Sequence, residues 1–444
     1  MGGRDPIGYH AVNLLLHIAA VLLFWAAMRR LIPERAAWIA AAVFAVHPFQ
    51  AEPVNYVFAR STTLATLFCL AALLTWARGH RWWAVPWFGL ALLAKEECVA
   101  FPALLLLIEI GRSRKRDALR STWKSAVPPV LSMFALAAAV GLRVLSATSR
   151  ISGSGAGANA GISWSSYALA QGIVVLRYLR MLVLPLGFTV DPYIAAPPVW
   201  MGVLAWLSVG LMAIAAALLA WRGQRAALWF LTGLILLLPS SSILPAADLA
   251  ADRRLYLPMI GFAAAAGLLI ERFPPAVAVA VVAFLAFLSA IRTETWRTEA
   301  SLWEDAAAQA PLKVRPKIQL ARAVGPERGL EILEQARALA PRDPRVPAEE
   351  GRIYLAAGRP DQALMAFGRA LALEPRNADA YNNRGVALLA LNQKQAAQQD
   401  FERALTIDLC QFDARVNLLR LGVAVPPAHD CRFSPEQSKL LEVR

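Results

Sequence analysis

The chain has 444 residues, of which 58% are hydrophobic and only 17% charged, with a formal net charge of +14. That apolar excess excludes an ordinary soluble protein and places most of the chain in lipid. Much of the positive charge lies in short loops between apolar runs, where it sets membrane orientation, so nucleic-acid binding is rejected.

In chain order, membrane-spanning runs are predicted at residues 11–31, 36–47, 61–77, 82–94, 98–110, 126–146, 199–221, 226–245, 255–270 and 276–291. These make about ten crossings of a bilayer core that takes about 20 helical residues each. The first run is read as a retained span, because RRLIPER follows it without a small-residue cleavage site. Basic turns at Arg29, Arg30 and Arg35, at Arg78 and Arg81, and at Arg112, Arg114, Lys115, Arg116, Arg120 and Lys124 share the cytoplasmic side. Residues 36–77 and 82–110 then form hairpins whose connectors point outward. The first connector, HPFQAEPVNYVFAR, contains Pro48 and Pro53, which stop helix continuation. The second is Lys95, Glu96 and Glu97, between arms of only about 20 Å of helix. This connector is therefore expected below the outer surface, in a water-filled cavity. Residues 164–185 contain Arg177 and Arg180, each costing about 2.5–3.5 kcal/mol at mid-bilayer, so the stretch is placed along the outer interface. By parity, the loop LPSSSILPAADLAADRRLYLP and everything after Ile291 also face outward.

A linker helix is expected at 292–310. Beyond it a 34-residue period aligns Gly351 with Gly385, Ala363 with Ala397, Phe367 with Phe401 and Ala370 with Ala404. This is the tetratricopeptide pattern of packed helix pairs, with Pro341 and Pro375 as stops. Clear units at 344–375 and 378–409, a degenerate unit at 311–341 and a closing helix at 413–421 give the roughly three units a solenoid needs. Residues 423–444 form a tail. Cys69 and Cys98 fall in apolar segments as small buried side chains. Cys410 and Cys431 pair if this region faces an oxidising compartment.

The topology gathers His47, Glu52, Arg60, Lys95, Glu96, Glu97, Asp191, Asp248, Asp252, Arg253 and Arg254 on the outer face. Ionisable residues at membrane depth are expensive unless paired or hydrated. Lys95 or Arg60 would suit a lipid phosphate. The alternative for Lys95 is a structural pair with a neighbouring carboxylate, and for His47 a backbone hydrogen bond. No H-x-x-x-H, HExxH or CxxC spacing and no GxxxxGK[ST] or GxGxxG loop occurs, so neither a metal nor a soluble nucleotide is expected.

Four segments in order, HPFQAEPVNYVFARSTTLATLF, LALLAKEECVAFPALLLL, LPSSSILPAADLAADRRLYLPMIG and RTETWRTEASLW, run into the repeats. Together they resemble the transmembrane and tetratricopeptide-repeat O-mannosyltransferases and their bacterial relatives, which have the GT-C glycosyltransferase fold. The resemblance implies an all-α protein: a polytopic transmembrane helical bundle over residues 1–291 with a C-terminal tetratricopeptide-repeat α-solenoid. It implies transfer of a sugar such as mannose from a polyprenyl-phosphate carrier to a protein or glycan hydroxyl on the outer face, with no cofactor beyond the lipid-linked donor. Lys95, Arg60 and Arg253 would hold the lipid phosphate, and His47, Glu52, Glu96, Asp252 and Tyr256 would line the cavity. The family's catalytic carboxylate lies in the first outer loop, ahead of the segment matching GRDPIGYHAVNLLLH, with which this chain starts. The chain is therefore expected to be N-terminally incomplete or a relative without the usual base, with Asp5 and Glu52 as weak candidates for taking the hydroxyl proton. Alanine and arginine richness fits a bacterium of high genomic GC content, and the chain is expected to be a multi-pass protein of the bacterial inner membrane with periplasmic repeats. The rival reading is a non-enzymatic membrane anchor that presents the repeats as a protein-binding groove.

Overall fold

The computed structural model describes residues 7–112, 116–148, 162–241, 248–427 and 431–442. Asp5, Arg114, Lys115 and the ISGSGAGANAG stretch lie outside them. Among the described residues every regular element is helical, and the chain divides into two compact units at Arg297 and Thr298.

The first unit contains α1 (Ile7–Leu31), α2 (Glu34–Val46), the short α3 (Ala51–Asn55), α4 (Arg60–Ala77), α5 (Ala84–Ala94), α6 (Phe101–Arg112) and α7 (Arg116–Thr148). It continues with α8 (Trp164–Val183), α9 (Val199–Trp221), α10 (Arg225–Leu237), α11 (Met259–Ile270) and α12 (Pro275–Glu294). Every predicted run holds one α-helix. Among the described residues, five helical segments are long and apolar enough to cross a membrane: Ile7–Leu31, Val57–Ala77, Trp123–Val144, Val199–Trp221 and Pro275–Glu294. The helices α2, α5, α6, α10 and α11 have only 11 to 13 residues, about 16 to 20 Å.

Small residues set the closest helix contacts. A Cβ on Gly261 of α11 would lie 2.3 Å from the backbone nitrogen of Gly233 on α10, and one on Gly267 would lie 2.4 Å from the Ala36 carbonyl of α2. Helix α11 is thus wedged between α10 and α2 at backbone contact, as small residues permit in membrane bundles.

Helix α8 lies against the loop ahead of α11. Gln171 Nε2 donates to the Leu249 carbonyl (2.9 Å), and Tyr178 Oη donates to that of Ala251 (2.9 Å). Arg177 pairs with Asp252 at 2.9 Å and donates to the Gly187 carbonyl at 3.0 Å. The burial cost of Arg177 is therefore offset by a buried partner.

The second unit contains α13 (Glu299–Gln309), α14 (Val314–Ala323), α15 (Pro326–Leu339), α16 (Arg345–Ala356) and α17 (Pro360–Leu373). It continues with α18 (Ala378–Ala390), α19 (Lys394–Ile407), α20 (Phe412–Arg420) and α21 (Pro435–Glu442). The repeat works through one contact: a Cβ at Gly351 would lie 2.6 Å from the Phe367 ring, and one at Gly385 would lie 2.6 Å from the Phe401 ring. In the degenerate first unit Lys317 replaces the glycine and Leu333 replaces the phenylalanine. The smaller leucine removes the need for bare backbone. Glu349 and Glu350, 3% and 1% exposed, bind successive units together. Glu349 accepts from Arg322 (2.7 Å) and Arg352, and Glu350 from Arg369 (2.9 Å) and Arg337.

Cys410 and Cys431 form the expected disulfide. It closes a segment that holds more order than a tail: Arg415 donates to the Leu409 carbonyl (2.8 Å) and the Pro426 carbonyl (2.6 Å). Phe433 packs on Phe412 ahead of α21.

Candidate functional site

Helix α2 ends at His47, since Pro48 brings no N–H and opens a single 3-10 turn, Pro48–Gln50, that leads into α3. This carries Glu52 into the bundle, where it is 3% exposed. Arg253 grips both carboxylate oxygens. Its Nη1 donates to Oε1 (2.7 Å) and its backbone N–H donates to Oε2 (3.0 Å), while Nη2 reaches Asp248 at 3.3 Å. Burial pushes the Glu52 carboxyl up against the pull of Arg253. Burial also opposes charge on Arg253, but Glu52 and Asp248 outweigh it and hold its pKa above the ordinary value. The Arg253 guanidinium also lies over the Tyr56 ring at 5.9 Å, and Tyr56 neighbours Trp296 at 6.1 Å.

A polar stripe on α1 fastens the segment after α2 and the segment ahead of α11. Asn13 and His17 are four residues apart and share a helix face. Asn13 Oδ1 accepts from Arg60 Nε at 3.0 Å, and its Nδ2 donates to the carbonyls of Val54 (3.3 Å) and Tyr56 (3.4 Å). His17 Nε2 lies 3.0 Å from the Ala45 carbonyl and so carries the proton. Its Nδ1 therefore accepts from Tyr256 Oη at 2.8 Å. Sequence reasoning missed both residues, although one Asn and one His at helical spacing within the apolar run of GYHAVNLLLH was a readable signal.

Lys95 ends α5 with an extended backbone, φ −164° and ψ 135°, and a 3-10 turn, Glu96–Ala100, follows. Its Nζ donates to Thr62 Oγ1 at 2.8 Å and pairs with Glu97 at 2.9 Å, with the lysine side chain 19% exposed. An ammonium has three donors, and one has no acceptor among the described residues. Glu96 is exposed beside it.

The structure brings together Glu52 with Arg253 and Asp248, Asp252 with Arg177, and Lys95 with Glu97. It does not bring Arg60 to Lys95. Arg60 and Thr62 are two positions apart on α4, about 200° around the helix, and Arg60 turns to Asn13 and to the Tyr9 carbonyl (3.2 Å). Four expected cavity-wall residues are sealed in packing: His47 is 2% exposed, Glu52 3%, Asp252 2% and Tyr256 0%. They brace the site from beneath, because each spends its polar atoms on protein. Asp191, 5% exposed, is buried too. Elsewhere in this unit stands a cluster the sequence reading did not foresee. Glu109 accepts from Trp76 Nε1 at 2.8 Å and pairs with Arg81 at 3.1 Å, joining α4 to α6.

His47 yields a pH prediction. Its Nδ1 accepts from the Phe49 N–H (3.3 Å), its Nε2 faces the Leu182 carbonyl (3.4 Å), and burial lowers its pKa to about 4. Between the unfolded value of 6.5 and about 4 the unfolded state binds more protons. Stability then falls as pH falls through that window. Thermal melting of the detergent-solubilised protein is expected to show this slope, and His47→Gln to flatten it; identical slopes would remove His47 as the cause.

Residues 349–414 match the tetratricopeptide repeat family. Protein O-mannosyl-transferase Tmtc1 of Drosophila melanogaster is 40% identical over 78 residues, 17% of this chain and 9% of that protein. Protein O-mannosyl-transferase TMTC3 of Mus musculus is 36% identical over 73 residues, 16% of this chain and 8% of that protein. TMTC4 of Homo sapiens is 35% identical over 94 residues, 18% of this chain and 13% of that protein. The chain thus spans about a tenth of the length of these curated relatives. A solved thermophilic tetratricopeptide protein of Thermus thermophilus is 18% identical, covers 35% of this chain and 88% of its own, and has a TM-score of 0.26, too low to carry an argument. Over these matched stretches, the chain is similar to the transmembrane and tetratricopeptide-repeat protein O-mannosyltransferases.

Proposed function

We propose that this chain is a membrane glycosyltransferase, passing a sugar such as mannose from a polyprenyl-phosphate carrier to a protein or glycan hydroxyl on the outer face. In that reaction the bond from the sugar's anomeric carbon to the phosphate oxygen breaks and one to the acceptor oxygen forms. The acceptor proton passes to a carboxylate, and the lipid phosphate leaves with its charge. The observation that carries the reading is Lys95: a half-buried ammonium at a break between two short apolar helices, held by Glu97 and Thr62 with one donor to spare. Such a group would neutralise the departing phosphate. Arg253, fixed by Glu52 and Asp248, is the second cation of this face. Glu52 has both oxygens occupied, which suits it to joining the two outward segments; it is not assigned as the base. The donor is already activated, so the reaction asks for no metal.

A periplasmic position of the repeats, in a bacterial inner membrane, is supported by the Cys410–Cys431 bridge, which needs an oxidising compartment. The repeats themselves favour a protein partner. A second reading, a membrane-anchored scaffold without transferase activity, rests on them alone.

The test is Lys95→Ala in the purified protein, measured by binding of polyprenyl phosphate alongside the melting temperature. A charge-assisted hydrogen bond is worth about 1.5 to 3 kcal/mol, so affinity is expected to fall roughly ten- to a hundredfold, with Lys95→Arg keeping part of it. Unchanged binding with a lowered melting temperature would reduce Lys95 to a structural ion pair.

A further inference from the structure

The membrane unit has a second charged end. Helix α2 starts at Glu34 and ends at His47, where the segment carrying Glu52 begins, while α12 starts at Pro275 and ends just before Trp296, which neighbours Tyr56. The starts of both helices therefore lie away from Glu52 and Arg253. The 20 residues of α12 put about 30 Å between its two ends, the thickness of a bilayer core. At the far end two hydrogen bonds draw three turns together. Arg35 Nη2 donates to the Phe273 carbonyl (2.6 Å), and Arg272 Nη2 donates to Gln224 Oε1 (3.2 Å). The result is a cationic excess, with Arg29, Arg30, Arg35, Arg222, Arg225 and Arg272 against Glu34 and Glu271. Glu34 is itself engaged by Arg29 at 3.0 Å. From these turns an apolar groove runs between α2 and α12, lined by Trp38, Ile39, Ala278 and Val279, with Glu34 and Arg35 at one end. Trp38 is 56% exposed, and its ring is steadied by Trp25 at 4.6 Å. Indoles settle at the head-group level of a bilayer, so Trp38, one turn along α2 from Arg35, sets where head groups meet the groove.

We propose that this groove seats an anionic diacyl phospholipid, with its phosphodiester on Arg35 and Arg272 and one acyl chain between α2 and α12. Each of the two guanidinium groups spends one nitrogen on protein. Their remaining N–H groups have no acceptor among the described residues, and a guanidinium offers phosphate parallel donors. The groove alone selects nothing, since bulk lipid solvates a chain as well as leucine does. The arginines supply the preference, about fivefold for each cation near a head group, and the groove fixes it at one place. The site stands apart from Lys95, at the opposite end of the helices that carry it.

The experiment places the full chain in nanodiscs holding equal amounts of phosphatidylglycerol and phosphatidylcholine, and reads the lipids it retains by native mass spectrometry. The unaltered protein is expected to retain phosphatidylglycerol over phosphatidylcholine at least about fivefold. The double variant Arg35→Gln, Arg272→Gln should bring the ratio within about twofold. Arg272→Gln alone, whose side chain touches only Gln224, should lower it severalfold and carries the test if the double variant does not fold. Val279→Trp, which fills the groove from α12, should release the phosphatidylglycerol with every arginine in place. Equal retention of the two lipids by the unaltered protein overturns the site, whether or not any variant folds. A preference untouched by Arg272→Gln and by Val279→Trp overturns it as well, because the charge would then act elsewhere. Undecaprenyl phosphate displacing phosphatidylglycerol would give the groove to a single-chain lipid and overturn the diacyl assignment. Lys95→Ala should leave the retained phosphatidylglycerol unchanged, so failure here and failure of the transferase reading are told apart.

Discussion

Gly261→Val is expected to abolish stable folding of the membrane unit. The new Cβ would sit 2.3 Å from the Gly233 nitrogen, 2.6 Å from the Trp229 carbonyl oxygen and 2.7 Å from the Gly233 Cα. All three are backbone atoms of α10, so no side-chain rotation can relieve the clash. The helices must separate instead. Overpacking a core costs typically about 1 to 3 kcal/mol when side chains can yield, and here the cost should exceed that range. Helix α11 cannot retreat, since Gly267 already meets the Ala36 carbonyl of α2 on another side. Size-exclusion profiles and melting temperature in mild detergent would show the loss. Gly141→Ala, where nothing lies within 4 Å of the added atom, is the matched control and should be neutral. A monodisperse Gly261→Val protein with an unchanged melting temperature would mean that α10 and α11 do not pack at this distance.

Glu52→Gln is expected to destabilise the membrane unit by roughly 3 kcal/mol, the lower end of the cost of orphaning a buried charge. The carboxylate is 4% exposed and Arg253 24%. The substitution keeps shape but removes the charge that opposes Arg253. Asp248, at 3.3 Å, remains as a second partner and keeps the cost from the upper end of that range. A double-mutant cycle identifies the cause. Adding Arg253→Met to Glu52→Gln should recover much of the loss, because no buried guanidinium is left unpaired. Strict additivity would show that the two residues do not interact. The cycle measures stability and is independent of whether the chain transfers sugar.

The helical runs were legible because each depends on local pattern: a stretch of apolar residues, a proline or a basic turn, and a composition that water would reject. The repeats were legible for a stronger reason. The pairs Gly351 with Phe367 and Gly385 with Phe401 recur at one fixed interval, and each glycine exists to admit its ring. The disulfide was legible from the position of two cysteines in one segment, whereas α21 beyond it was missed, since that short helix packs on α20 behind the bridge and the Phe412–Phe433 contact. The shortness of α2, α5, α6, α10 and α11 was missed in part, because an apolar run does not disclose where a break is compensated.

By itself, then, the sequence determined the helices, their order, the repeat unit and the set of charged residues available to the connectors. Only the tertiary structure decided which of those charges meet: Glu52 with Arg253 across 201 residues, His17 with Tyr256 across 239, and Arg60 with Asn13 rather than with Lys95. Helix and repeat signals are short-ranged, set by neighbours within a turn or one repeat. A charged side chain in a loop reads the same whether it is destined for water, a ligand or a buried partner. That outcome depends on which helices pack together, and here backbone contact at Gly233, Gly261 and Gly267 settles it.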